Sequence, residues 1–281
     1  MPSELTTAIY GLLSAFAYGS GDFIGGLNSK RIGVLPVIFL SQVTGLILYV
    51  VCAFFAREAM PPDEDLIFAA AAGIVGMFGI SAMYLALSLG YMGISAPIAG
   101  VLSAAIPVIV GISTQGLPEL LTLIGFAVGL LAVWLVAGSA VSAGVDRRAV
   151  TLAVFGGTAF GLGFVLFARA AENATFIPLI ASRSTTISFI LVFSLLRRRR
   201  ITPTNLHIIP LIALGGMLDA LGNAFFVGAV QAGRLDIASV ISSLYPAVTV
   251  LLAWVVLKER LKLPQWIGVG ASLLAIVLIV A

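Results

Sequence analysis

The chain has 281 residues, of which 60% are hydrophobic and only 10% are charged. An average soluble domain is about 45–50% apolar and about 25% charged, so this composition excludes a soluble fold. The formal net charge of +3 is distributed between the apolar runs and forms no nucleic-acid-binding surface. The single cysteine and single histidine exclude a disulfide framework and a Cys/His metal cluster, and we expect no cofactor.

Ten apolar runs follow one another along the chain, and each predicts a transmembrane helix. About 20 apolar residues are needed to cross the roughly 30 Å hydrocarbon core of a bilayer. Short loops between the runs hold most of the charge. The predicted spans are Leu5–Leu27, Gly33–Phe55, Leu66–Leu89, Gly93–Ser113, Leu117–Gly138, Ala149–Ala171, Thr175–Leu196, Leu206–Gln231, Leu235–Leu257 and Leu263–Ala281.

The two halves of the chain resemble each other. Without a gap, Gly73 aligns with Gly216 and Gly79 with Gly222. Glycines that align without a gap over a long stretch indicate an internal duplication. We therefore predict a first five-span repeat over residues 1–140, a short linker over 141–148 and a second five-span repeat over 149–281.

An odd number of spans in each repeat requires that the second copy be inverted in the membrane. The loop charges support inversion, because the Arg57–Asp65 loop is acidic whereas its counterpart, Arg197–Arg200, is basic. All loop Lys and Arg residues except Arg57, Arg169 and Arg234 fall on one predicted face. By the positive-inside rule this face is cytoplasmic, which places both termini outside. The sequence thus predicts an all-α membrane protein with ten transmembrane helices in two inverted five-helix repeats.

The end of the second half carries a family resemblance. The ninth span contains Asp236-Ile-Ala-Ser-Val-Ile-Ser-Ser-Leu-Tyr-Pro246, followed by the turn Leu257-Lys-Glu-Arg-Leu261 and a last apolar helix. This pattern resembles the drug/metabolite transporter superfamily, EamA type. The resemblance implies a ten-helix permease of two repeats that transports or exports metabolites, amino acids or drugs.

The first half departs from the family pattern, since Gln115-Gly116 replaces the Lys-Glu turn. This departure makes exact symmetry between the fourth and ninth spans doubtful. The resemblance also implies cytoplasmic termini, whereas the charge count places them outside, so the orientation stays open.

Three charged residues lie within the predicted spans: Asp22, Arg183 and Asp219. Charges inside lipid are costly and mark functional sites by default. Asp22 alternatively caps a helix at the interface. Arg183 and Asp219 are either a structural salt bridge, or Arg183 binds the anionic part of a substrate and Asp219 is its counter-charge or proton acceptor.

The fourth and ninth spans are predicted to wall a polar cavity, because each proline leaves a backbone carbonyl without a partner. Serine and tyrosine side chains accompany these prolines, although a hydroxyl can also bond within its own helix. The candidate pathway residues are Arg183, Asp219, Asp22, Gln42, Tyr84, Tyr91, Pro97, Ser103, Ser242, Ser243, Tyr245, Pro246 and Asn223.

The function favoured by these features is secondary active transport or export of small amino-acid-like or drug-like metabolites by alternating access. The predicted partners are a small-molecule substrate, the lipid bilayer of the plasma membrane and, as candidate coupling ions, protons. No phosphate-binding Gly-x-x-x-x-Gly-Lys-Ser/Thr loop is present. A membrane-embedded enzyme acting on lipid-linked substrates and a passive channel remain alternatives, and the protein is a monomer or a homodimer.

Overall fold

A computed structural model describes residues 3–89, 92–138, 147–203, 206–258 and 263–280 of the chain. Within these ranges the regular structure is helical and no strand occurs, which confirms the predicted all-α class. A 3-10 helix, Leu206–Ile208, precedes α8. The helices are α1 (Ser3–Ile32), α2 (Val34–Ala56), α3 (Asp63–Ser88), α4 (Met92–Gln115), α5 (Leu120–Gly138), α6 (Arg147–Ala170), α7 (Phe176–Arg197), α8 (Ile209–Ala232), α9 (Leu235–Ser242), α10 (Tyr245–Leu257) and α11 (Leu263–Val280).

Seven helical segments of the described chain are long and apolar enough to cross a membrane. They correspond to the second, third, fourth and sixth to ninth predicted spans. Helices α1, α5 and α11 occupy the places of the other three. Although α1 is 30 residues long, Gly, Ser and Asp side chains in its second half lower its hydropathy.

The outer surface of these helices is apolar. Phe54, Phe55, Leu195 and Leu196 each expose more than three quarters of their surface. Such large hydrophobic side chains are stable in contact with lipid and unfavourable in contact with water. The chain is therefore a multi-pass membrane protein.

The predicted ninth span is not one continuous helix. Helix α9 ends at Ser242 and α10 begins at Tyr245, with Pro246 in the first turn of α10. A proline is tolerated there because the first amides of a helix have no intrahelical acceptor. By contrast, α4 runs unbroken through Pro97 and Pro107. The fourth and ninth predicted spans therefore differ in structure, in agreement with the departure from exact symmetry that the sequence indicated.

Helix packing repeats between the two halves. Helix α1 packs along α8 as α6 packs along α3, and α2 contacts α8 as α7 contacts α3. Helices α2 and α7 also contact each other, as do α5 and α11. In the two predicted repeats, α1 corresponds to α6, α2 to α7, α3 to α8 and α5 to α11. Exchanging each helix with its counterpart leaves this set of contacts unchanged, as an approximate two-fold axis between the halves requires.

The aligned glycines mark close approaches between helices of the two halves. A Cβ atom on Gly73 would lie 2.3 Å from the backbone oxygen of Ser182 on α7. A Cβ on Gly216 would lie 2.5 Å from backbone atoms of Ser41 on α2. Only glycine permits these two approaches, which explains why it recurs at matching positions.

Helices α2 and α7 run in opposite directions. The Glu58 carboxylate, just after α2, accepts hydrogen bonds from the amides of Thr175, Phe176 and Ile177 at the start of α7. The Arg197–Arg200 stretch lies at the other end of α7, about 33 Å away at 1.5 Å per residue. We call the side of the Arg57–Asp65 loop the acidic face and the side of Arg197–Arg200 the basic face. The two faces are thus opposite each other, as inversion of the repeats requires.

Candidate functional site

A central cavity lies between the two halves, about midway along the helices. Its volume is about 80 Å³, and it is partly open to the outside. Side chains and glycines from α1, α2 and α3 form one side, and residues from α6, α7, α8 and α10 form the other. The lining residues are Tyr18, Asp22, Gln42, Ala72, Gly73, Gly76, Ile80, Phe160, Gly163, Phe164, Phe167, Ser182, Arg183, Thr186, Asp219, Asn223 and Tyr245.

A buried salt bridge crosses one wall of the cavity. Arg183 Nη2 lies 2.6 Å from Asp219 Oδ2, and Arg183 Nη1 donates a 2.5 Å hydrogen bond to Gln42 Oε1. The guanidinium also lies over the Tyr49 ring, with Cζ 5.6 Å from the ring centroid. Its charge is therefore compensated and its planar face is covered. This geometry fits the structural salt bridge better than a free anchor for a substrate anion.

Gln42 and Arg183 lie on the counterpart helices α2 and α7, next to the approximate two-fold axis. Their contact spans the junction between the halves. The counterpart of Asp219 is Gly76, which also lines the cavity and has open space where a side chain would begin. The repeat thus supplies a charged residue on one side of the cavity and empty space on the other.

Asp22 is the second acid of the cavity, and it has no such partner. Only 7% of the residue is exposed, and among the described residues it makes no hydrogen bond or salt bridge. It lies one helical turn after Tyr18, whose ring packs against Gly222 of α8. A buried carboxylate without a partner is energetically unfavourable unless water or a ligand binds it.

Aromatic rings cover much of the remaining wall. The Tyr18 ring centroid is 6.0 Å from that of Phe164 and 6.4 Å from that of Tyr245. Phe160, Phe164 and Phe167 project from α6 on one face, at the spacing of successive helical turns. The cavity lining thus combines polar side chains with apolar aromatic rings.

Six of the residues predicted from the sequence line this cavity: Asp22, Gln42, Arg183, Asp219, Asn223 and Tyr245. The Asn223 amide donates to the backbone oxygen of Asp219 in its own helix, as expected for the alternative of bonding within the helix. Predicted residues that lie outside the cavity lining are Tyr84, Ser103, Ser242, Ser243 and Pro246. Tyr91 and the Pro97 side chain lie outside the part of the chain that the structure describes.

Helices α4 and α9 do not supply the main walls that the sequence predicted. Ser103 of α4 and Ser243, just after α9, hydrogen-bond each other at 3.0 Å. This bond joins the two helices, whereas the buried hydroxyl groups of Ser95 on α4 and of Ser239 and Ser242 on α9 have no hydrogen-bond partner in the described chain. Helices α3 and α6 line the cavity more extensively, and the Tyr84 ring instead packs onto Gly25 of α1.

Sequence reasoning missed the aromatic lining and Tyr49. The Phe160, Phe164 and Phe167 spacing was visible, but a stripe of this kind is usual on any buried helix face. Tyr49 donates a 2.7 Å hydrogen bond to the backbone oxygen of Ala220 besides covering Arg183. No local pattern distinguishes such a tyrosine from one that faces lipid.

Polar contacts join the halves at the acidic face. Asn173 donates to Asp65 at 3.0 Å, close to the bonds between Glu58 and α7. Arg234 bonds to the backbone oxygens of Gln115 and Gly116 and to Asp236, whose hydrogen bond raises the pKa of the guanidinium. In the described chain, no group of three or more His, Cys, Asp or Glu side chains is placed to hold a metal ion.

These features define a class: a multi-pass helical membrane protein of two similar halves with a central cavity. Residues 147–281 match the sequence model of the EamA-like transporter family, which confirms the resemblance drawn from the sequence. The second half of the chain is thus similar to the EamA-like transporters, a family of the drug/metabolite transporter superfamily.

Two further similarities concern the fold and one relative. A solved crystal structure with 16% sequence identity superposes with a TM-score of 0.71, over 97% of this chain and 95% of that one. An uncharacterized protein of Methanocaldococcus jannaschii is 33% identical over 85 residues, or 30% of this chain. The matched region spans 62% of that relative, which is less than two thirds of its length.

Proposed function

We propose that this protein is a secondary active transporter of small molecules in the plasma membrane that works by alternating access. The observation that carries the proposal is the central cavity between the halves, with a buried salt bridge and an unpaired carboxylate in its wall. Inverted-repeat transporters bind their substrates at this position, near the middle of the bilayer. The similarity of the second half to EamA-like transporters supports the same function.

The packing of the halves supports the alternating mechanism. Equivalent contacts of α1 with α8 and of α6 with α3 allow the two repeats to exchange conformations. Such an exchange would close the cavity toward one face and open it toward the other. The polar contacts at the acidic face would have to rearrange in one of these states.

The energy source is an ion or substrate gradient, because the sequence has no phosphate-binding loop. Protons are the candidate coupling ion. Asp22 suits proton binding better than Asp219, since Asp219 is neutralised by Arg183. In this proposal the chain transports its substrate without changing it chemically.

A ligand screen followed by counterflow tests this function. Purified protein is first screened by thermal shift against amino acids, nucleosides, sugars and cationic drugs. Proteoliposomes loaded with an unlabelled hit should then accumulate the labelled hit transiently, because a carrier exchanges substrate across the membrane. Uptake without counterflow would indicate a channel, and chemical turnover of the hit would indicate an enzyme.

Two glycine substitutions provide a matched pair for the same assay. Gly163 lines the cavity and has open space at its Cβ position, so Gly163→Trp should fill the cavity and abolish counterflow. Gly270 also has open space but lies on the exposed surface of α11, so Gly270→Trp should transport normally. Loss of transport in both variants, or in neither, would contradict a pathway through this cavity.

A further inference from the structure

The charge balance of the central cavity indicates which ligand class it binds. Among its described lining residues, one base, Arg183, stands against two acids, Asp22 and Asp219. Arg183 and Asp219 neutralise each other at 2.6 Å. With both acids ionised, the remaining charge of the cavity is a single negative charge on Asp22.

Arg183 has little capacity left to bind an anion. Its two terminal nitrogens are engaged by Asp219 and Gln42, and Tyr49 covers one face of the guanidinium. Its Nε lies against Gly45 of α2. A ligand carboxylate would therefore have to displace an existing partner and leave the buried Asp219 uncompensated.

Asp22 offers the opposite condition. The carboxylate is more than nine-tenths buried, lines the cavity and has no partner in the described chain. An ammonium group bound beside it would gain a charge-assisted hydrogen bond without breaking any existing contact. The second acid is on a helix that packs against this turn of α1, because a Cβ atom on the neighbouring Gly21 would lie 3.1 Å from the backbone nitrogen of Asp219.

The side chains next to Asp22 are unsuited to binding a small metal ion. Mg²⁺ and Ca²⁺ need six or more oxygen ligands, whereas the neighbouring wall consists of the rings of Tyr18, Phe164 and Tyr245. Aromatic faces attract organic cations and also bury the apolar part of a ligand. These rings line the same cavity as Asp22.

We propose that the cavity binds a monovalent organic cation with an aromatic-sized apolar substituent, with Asp22 as its counter-ion and Tyr18, Phe164 and Tyr245 as its apolar walls. This inference rests on the proposed function, because it names the substrate class of the same cavity. It replaces the expectation that Arg183 anchors an anionic group.

Three probes that differ only in charge test the assignment. Phenethylamine is a cation, phenylalanine is a zwitterion and 3-phenylpropionate is an anion, and all three carry the same ring. Calorimetric titration of the purified protein should detect phenethylamine and bind the other two at least roughly tenfold more weakly. Preferred binding of phenylalanine or phenylpropionate would overturn the proposal, and so would the absence of binding by all three.

Two variant pairs separate the roles of charge and ring. Asp22→Asn keeps the size of the side chain and should weaken phenethylamine binding roughly tenfold or more, whereas Asp63→Asn on the acidic face should not change it. Tyr18→Leu should lose affinity, whereas Tyr10→Leu, on the exposed side of α1 and outside the cavity lining, should bind normally; this pair keeps the test valid if Asp22→Asn folds poorly. Unchanged affinity in both Asp22→Asn and Tyr18→Leu would overturn the proposal.

The outcome for the ligand class can be distinguished from the outcome for transport. Binding of the zwitterion or the anion, with no effect of Asp22→Asn, overturns the cation assignment and leaves the carrier proposal intact. Binding of phenethylamine without counterflow leaves the cation site intact and overturns the carrier proposal. Phenethylamine binding together with counterflow supports both.

Discussion

Removing either partner of the Arg183–Asp219 pair should destabilise the protein, and removing both should cost much less. The two side chains are 7% and 12% exposed, and their charged atoms are 2.6 Å apart. Asp219→Asn leaves a buried guanidinium with Gln42 as its remaining polar side-chain partner. An uncompensated buried charge of this kind costs about 3–5 kcal/mol.

The effect of Asp219→Asn should not depend on pH. Arginine keeps its proton, so Asp219→Asn should be equally unstable at pH 7 and pH 5. Arg183→Gln should be destabilising as well, because it leaves the buried Asp219 without its cationic partner. The double variant retains neither charge and should lie within about 2 kcal/mol of the wild type.

The assay is a double-mutant cycle on detergent-purified protein unfolded by SDS or heat, at pH 7 and pH 5. Arg169 and Glu172 form the matched control, because their salt bridge is 3.3 Å long and their side chains are 61% and 56% exposed. An exposed pair should show a coupling of about 0–1 kcal/mol. A cost below about 1 kcal/mol for Asp219→Asn, or additive effects in the double variant, would refute a closed buried pair.

Three further substitutions test how the helices are held together. Glu58→Ala removes the acceptor of three amides at the start of α7 and should cost about 2 kcal/mol in unfolding free energy. Glu64→Ala, on an exposed residue, should be nearly neutral. Equal costs for the two variants would contradict the capping role of Glu58. Gly157→Ala places a Cβ 2.6 Å from the backbone of α4 and should cost about 1–3 kcal/mol, while Gly163→Ala in the same helix has open space and should unfold like the wild type. Tyr49→Phe leaves a backbone oxygen of α8 without its 2.7 Å hydrogen bond and should cost about 1–3 kcal/mol, and an unchanged unfolding midpoint would argue against that bond.

The sequence predicted the membrane helices well because each span is a local property. A run of apolar residues crosses lipid as a helix whatever its neighbours are, since the backbone must satisfy its own hydrogen bonds. The start of α7 at Phe176 and its end at Arg197, for example, differ from the predicted span by one residue each. The break between α9 and α10 was not foreseen, because the apolar pattern continues through it.

The candidate site was only partly predictable, because burial and pairing depend on contacts between distant segments. Charged residues within spans were correctly located in the chain, yet the sequence did not decide that Arg183 is paired and Asp22 is not. It also suggested that the prolines of the fourth and ninth spans mark cavity walls, where Ser103 and Ser243 of these spans in fact bond to each other.

The sequence by itself determined that the protein is embedded in a membrane, that it is all-helical and that its halves are related, since hydropathy and repetition are written along the chain. Only the tertiary structure decided which charges neutralise one another. Whether the Arg183 and Asp219 side chains meet depends on how α7 and α8 are placed around the axis, and their positions along the chain do not reveal this. That arrangement leaves Asp22 as the unpaired acid of the cavity, and with it the charge that a ligand would meet.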